Sequence, residues 1–195
     1  MNEFGPPEVL VPTDLPDPVA GPGQALIEVE IANITFVETQ LRAGTAPPAM
    51  APQLPVILGN GVGGVIAAGP DPAQRGARVI STTGGSGGYA ERVAVDAAGV
   101  IAVPDDVGLA KAVALLADGR TAMSLMRAAE VRAGETVLVE AAAGGVGSLL
   151  VQLAVGAGAR VVAAAGGERK LEPGLEALAE AVSPEEIERD RKSVV

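Results

Sequence analysis

The stretch from Thr136 to Ala164 constrains the fold most. Thr136-Val-Leu-Val139 is a short apolar strand, Ala141 to Gly147 is a glycine-rich turn, Ser148 to Val155 carries on as a helix, and Arg160 to Ala164 forms a second strand. Strand, turn, helix and strand within about 30 residues make a βαβ unit, whose two strands lie parallel and need a crossover between them. The second part of the chain is therefore expected to contain a parallel sheet.

The turn itself reads Ala141-Ala142-Ala143-Gly144-Gly145-Val146-Gly147. Taken from Ala142 it is AxGxxG, a variant of the dinucleotide fingerprint, and it has the strand before it and the helix after it that the fingerprint requires. Gly144 lets backbone approach a pyrophosphate, and Gly147 lets the helix pack closely on the strand. The helix N-terminus turns free N–H groups and the positive end of its dipole toward phosphate. Ala142 keeps a small side chain at the first position but gives up some freedom in φ. The second strand runs into Ala164-Ala165-Gly166-Gly167-Glu168-Arg169-Lys170. Gly166 belongs to this cofactor-binding end, and Arg169 and Lys170 are suited to a 2′-phosphate, favouring NADPH over NADH, with Glu168 as the opposing signal.

Composition narrows the chemistry. The 195 residues include no Cys and no His. That removes disulfides, thiolate or imidazole metal sites, a Cys nucleophile and a Ser-His-Asp triad, so no metal is expected. A net charge of −10 and only 2% aromatic residues argue against nucleic-acid binding. The uncharged run Ala141 to Ala159 nears the length of about 20 residues that a membrane span needs, but it is crowded with glycine and closed by Glu140 and Arg160. No membrane span is expected, and with no signal peptide at Met1-Asn2-Glu3-Phe4 the expected location is the cytoplasm.

The first hundred residues read differently. Ala25-Leu-Ile-Glu-Val-Glu-Ile31 alternates apolar and polar, as a half-buried strand does. Val56 to Leu58, Val62 to Ala68, Ala77 to Thr82 and Tyr89 to Val95 are further strand candidates, separated by Pro-rich and Gly-rich turns such as Gly84 to Gly88. They suggest a small barrel-like β domain. Ala110 to Ala117 and Thr121 to Ala129 have helical spacing, and Ser183-Pro-Glu-Glu186 has the form of a helix start. The division this implies is residues 1–105 as one domain and 106–195 as a second.

Seven marks in order then carry a resemblance: Phe4-Gly-Pro-Pro-Glu-Val-Leu10, Pro18 to Gly23, Thr39 with Arg42 and Gly44, Pro55 to Gly69, Gly88-Tyr-Ala-Glu91, Gly119-Arg-Thr-Ala122, and Ala141 to Gly147. With these the chain, from Glu3 to about Leu171, resembles the zinc-independent medium-chain dehydrogenase/reductases, specifically the NADPH:quinone oxidoreductase (zeta-crystallin-like) group. The resemblance implies an α/β fold, a GroES-like β-barrel domain followed by a Rossmann unit. It implies hydride transfer from NADPH to a quinone or an activated enone or carbonyl, without zinc. A further reading is an enoyl reductase, which shares the Ala-Ala-Gly-Gly-Val-Gly turn.

Three departures from the family pattern bear on the site. Ile34-Thr35-Phe36-Val37-Glu38-Thr39 stands where Val-Asn-(Phe/Pro)-x-Asp-Thr is common, so Thr35 replaces an Asn and Glu38 an Asp. Gly59-Asn60-Gly61 stands where Gly-Asn-Glu is common and so lacks a carboxylate. After Leu171 the family's sheet continues well beyond what residues 172–195 provide. The expectation is a partial Rossmann unit of two strands, with exposed edges that pairing in a homodimer would cover. The candidate catalytic residues are Thr35, Asn60 and Tyr89, with Glu38 considered for proton transfer. The candidate cofactor residues are Thr121, beside Arg120, with Ala142, Ala143, Gly144, Gly145, Val146, Gly147, Gly166, Arg169 and Lys170. The competing class is a non-catalytic remnant that binds a nucleotide or a partner at most.

Overall fold

The computed structural model describes residues 1–166 and 180–182. The chain divides into two compact units, Met1–Ala117 and Asp118–Val195.

The first unit is built on strands β1 (Gln24–Ala32), β2 (Gly61–Ala68), β3 (Arg78–Thr82), β4 (Arg92–Asp96) and β5 (Ile101–Ala102). They form one sheet in the order β4-β1-β2-β3-β5, antiparallel throughout. The alternation read at Ala25 to Ile31 sends Ala25 and Ile27 inward, where they meet Val62, Ile66, Val79, Val93 and Val95. An aliphatic core of this kind gains roughly 1.5–3 kcal/mol for each large side chain it buries. Glycine lets the sheet close where bulk would not fit. A Cβ at Gly64 would lie 1.8 Å from the Glu28 carbonyl oxygen, across from a register shift in β1.

Helix α1 (Phe36–Ala43) leaves β1 through a short turn. Its last turn is tied to the N-terminal segment, where the Arg42 guanidinium and the Gly5 N–H donate to the Gly5 and Arg42 carbonyls respectively. Three readings needed correction in this unit. Val56 to Leu58 joins no sheet, because its backbone is taken up in loop contacts: Ile57 and Leu58 accept from Gly87 and Tyr89. The last long strand begins at Arg92, not Tyr89. The two helical stretches after Pro104 are one helix, α2 (Leu109–Ala129), running through Gly119. Its start buries Leu109, Val113 and Leu116 against Ile80 and Val103.

The second unit holds β6 (Thr136–Val139), α3 (Gly145–Gly156), β7 (Arg160–Ala164) and β8 (Glu180–Val182). The sheet is parallel, in the order β6-β7-β8, with Val137 opposite Val161 and Ala163 opposite Ala181. Among the described residues it has three strands rather than the two expected. The bounds of β6 and β7 match the sequence reading. The helix starts three residues earlier than read, because Gly145 already has helical geometry. Val139, Ala142, Val151, Ala154, Val161 and Ala163 form the core. The helix start read at Ser183 lies outside the described residues.

Candidate functional site

In the first unit four residues converge. Thr35 is the N-cap of α1, and its N–H donates to Glu38 Oε2 at 2.6 Å, while Glu38 N–H donates to Thr35 Oγ1 at 3.4 Å. This is the reciprocal capping box, and the Thr-x-x-Glu spacing that makes it was the unused sequence signal for α1. Glu38 is only 3% exposed. Burying a carboxylate is costly unless hydrogen bonds replace its water. Here Oε1 accepts from the Asn60 N–H at 2.7 Å.

Asn60 belongs to the loop leading into β2. Its side-chain oxygen accepts from Gly85 N–H at 2.8 Å, and its carbonyl accepts from Thr83 N–H at 2.8 Å. Its amide therefore orders the glycine run. Tyr89 packs over Gly59, where a Cβ would meet Tyr89 Cδ1 at 2.5 Å. Burial, then the negative charge of Glu38, then a hydrogen bond to it push the Tyr89 phenol up to about 12. Tyr89 is thus a neutral phenol in any ordinary buffer. The sequence-predicted Thr35, Asn60 and Tyr89 are brought together, and Glu38 stands at their centre.

Asn33 was not singled out by sequence reasoning. Its N–H donates to the Gly61 carbonyl at 3.0 Å, and a Cβ at Gly61 would lie 2.5 Å from Asn33 Oδ1. The Asn33 amide fills the space beside the glycine that stands in place of a carboxylate. Asn33 Oδ1 is buried without a hydrogen-bond partner. No local pattern announces this contact, since β1 and β2 bring it together from 28 positions apart. Ile34 (75% exposed), Phe36 (77%) and Val37 flank the cluster with apolar surface.

In the second unit the glycine-rich turn joins β6 to α3. The Ala142 N–H donates to the Ala164 carbonyl at 2.9 Å, which pins the turn to the end of β7. The positive φ falls on Ala141 (52°), one residue before the position where the fingerprint led us to expect the loss of freedom. Gly144 is the N-cap and contributes no side-chain cap, and the first helical bond runs from Ser148 N–H to Gly144 O at 2.9 Å. The N–H groups of Gly145, Val146 and Gly147 open the helix without intrahelical acceptors. Ala143, Gly144 and Gly145 are exposed. Gly147 is the close-packing position, where a Cβ would lie 2.2 Å from the Ala141 carbonyl oxygen. Gly145 faces Asp118 of α2, and a Cβ there would lie 2.0 Å from Asp118 Oδ2. Thr121 is exposed one turn further along α2, on the same helix face as Asp118. Gly166 is exposed just past β7. Arg169 and Lys170 lie outside the described residues. The backbone donors and the open glycine surface fit a pyrophosphate, and among the described residues the Asp118 carboxylate opposes it. Among the described residues no group of His, Cys, Asp and Glu is arranged to hold a metal ion, and no helix is long and apolar enough to cross a membrane.

A mixed α/β chain with an antiparallel GroES-like sheet and a parallel βαβ sheet defines the class, and residues 21–105 match the family model described as the alcohol dehydrogenase GroES-like domain. The quinone oxidoreductase of Pongo abelii is 38% identical over 171 residues, which are 85% of this chain and 51% of that protein. The quinone oxidoreductase structure from Pseudomonas syringae pv. tomato covers 93% of this chain, with a TM-score of 0.83 and 33% identity, over 56% of its own length. That from Thermus thermophilus, reported together with its complex with NADPH, also covers 93% of this chain, with a TM-score of 0.78, 34% identity and 58% of its own length. Over most of its length the chain is similar to quinone oxidoreductases, and it spans about half the length of the curated relatives it matches.

Proposed function

We propose that this chain acts as an NADPH-dependent reductase of quinones or activated enones and carbonyls, without zinc. The observation that carries the reading is the open, uncapped start of α3, with Gly147 packed on Ala141 and the first-turn N–H groups unspent. The backbone of Ala142 to Gly147 would hold the pyrophosphate, with Thr121 and Gly166 at its margins and Arg169 and Lys170 available to the 2′-phosphate. When bound, NADPH supplies the hydride. The protein's own part is to present a hydrogen-bond donor to the carbonyl oxygen of the substrate, and Thr35, Asn60 and Tyr89 line that task. The apolar side chains of Ile34 and Phe36 suit a flat, weakly polar substrate.

The test is oxidation of NADPH by the purified chain across a panel of quinones and enones, with NADH in parallel. Saturable turnover that favours NADPH supports the reading, and a folded chain that oxidises neither cofactor with any acceptor overturns it. One observation favours a second reading, a module that binds a nucleotide or a partner without catalysis: the Asp118 carboxylate sits against the turn where an anion would bind.

A further inference from the structure

Asn60 is tied down through three of its groups. Its N–H donates to Glu38 Oε1 at 2.7 Å, its carbonyl accepts from Thr83 N–H at 2.8 Å, and its side-chain oxygen accepts from Gly85 N–H at 2.8 Å. The preceding Gly59 carbonyl accepts from the Thr83 hydroxyl and from Gly88 N–H, both at 2.8 Å. The bond from Gly85 also fixes which way round the Asn60 amide lies, because a backbone N–H bonds the oxygen of an Asn side chain and never its NH2. The NH2 therefore faces away from Gly85 with two N–H donors, and no acceptor among the described residues takes either. Asn60 is half-buried, and among the described residues Asn33 Oδ1 is the buried side-chain atom that lacks a partner, so the Asn60 NH2 is open to water. A hydroxyl proton, as on Thr35 or Tyr89, turns about its C–O bond to suit whatever faces it. The Asn60 donors are aimed before a ligand arrives, and aimed donors stabilise developing negative charge without reorganising.

We propose that Asn60 is a catalytic residue of this site, with the two ends of its amide doing different work. The oxygen latches the glycine run through Gly85, and the NH2 hydrogen-bonds the carbonyl oxygen of the acceptor substrate. This assignment rests on the proposed reductase function and names the donor within it. As the acceptor takes up a hydride, the electron pair of its carbonyl π bond moves onto that oxygen, and water then supplies the proton. A neutral amide suits this step. A carboxylate of the same shape would hold Gly85 as well and would repel the oxygen.

Asn60→Asp separates the two ends, since it keeps an acceptor for Gly85 N–H and removes the NH2. Hydrogen exchange at Gly85 is expected to stay slow in this variant, while kcat falls by about 100- to 1000-fold with little change in KM. Asn60→Ala loses both ends, so Gly85 exchanges freely as well. Near-native kcat in Asn60→Asp overturns the proposal, and so does a larger loss of kcat in Thr35→Val or Tyr89→Phe. The native chain gives a reading that needs neither a variant nor turnover. Duroquinone, whose four methyl groups block addition of amines, is added to the nitrogen-15-labelled chain in the presence of NADP⁺. The side-chain NH2 resonances of Asn60 are expected to move downfield while that of Gly85 N–H stays in place. Asn60 resonances that do not move up to the solubility limit of the quinone overturn the donor assignment. A native chain with no turnover sinks the reductase reading, while the NH2 resonances still decide whether Asn60 meets a carbonyl oxygen.

Discussion

Asp118 and Gly147 set opposite limits on the same turn. Gly147 is buried, and any side chain there collides with the Ala141 carbonyl oxygen at 2.2 Å. Gly147→Ala is expected to cost about 1–3 kcal/mol of stability in the second unit and to weaken cofactor binding, as read by thermal melting and NADPH titration. Asp118 is an acid near the positive end of α3, a placement that stabilises a helix by about 0.3–1 kcal/mol. The same charge repels a pyrophosphate, so Asp118→Asn should melt slightly earlier yet bind NADPH several-fold more tightly. Equal or weaker binding by the Asn variant would show that the carboxylate does not face the bound anion. Tyr89 gives a pH prediction. Its folded pKa is near 12 against 10.0 for the free phenol. Between those two values the unfolded chain gives up a proton that the folded chain keeps, so this group lowers stability as pH rises through that window and is neutral below it. Denaturation midpoints across the window should fall with pH in the native chain and fall less steeply in Tyr89→Phe.

At the scale of elements, α1 shows how a short helix can escape a reading based on apolar periodicity. Phe36 and Val37, its first residues, are exposed, while the buried ones include a carboxylate, Glu38. What holds α1 is its ends: the Thr35–Glu38 capping box, and Gly44 at the C-cap in the left-handed region with φ 73°. Thr35→Ala should cost about 1 kcal/mol and Thr35→Ser much less, measured by chemical denaturation. The βαβ unit was legible for the opposite reason. Thr136 to Val139 and Arg160 to Ala164 are apolar and β-branched, and the glycines between them allow only a tight strand-to-helix turn. Gly119 misled the reading of α2, since a single glycine in an otherwise favourable 21-residue helix costs only about 1 kcal/mol. Val56 to Leu58 misled it too, because an apolar run says nothing of whether a neighbouring strand is there to pair with.

At the scale of the whole molecule, the candidate site could be named in its parts from the sequence but not in its connections. Thr35, Asn60, Tyr89 and the turn from Ala142 to Gly147 were named from sequence. The burial of Glu38 depends on a backbone N–H 22 residues away, and the fit of Asn33 beside Gly61 depends on the pairing of β1 with β2. Such contacts are set by topology and leave no local mark. The chain forms two compact units and covers about half the length of its quinone oxidoreductase relatives. Within this length, the turn at the start of α3 is proposed to hold a dinucleotide. The most direct measurement is a titration of the folded, purified chain with NADPH, following the cofactor's fluorescence, with NADH alongside and Gly147→Ala as a comparison. Saturable binding in the micromolar range is expected, tighter for NADPH than for NADH and weakened in the Gly147 variant. A folded chain that leaves the cofactor's fluorescence unchanged up to millimolar concentration would contradict it.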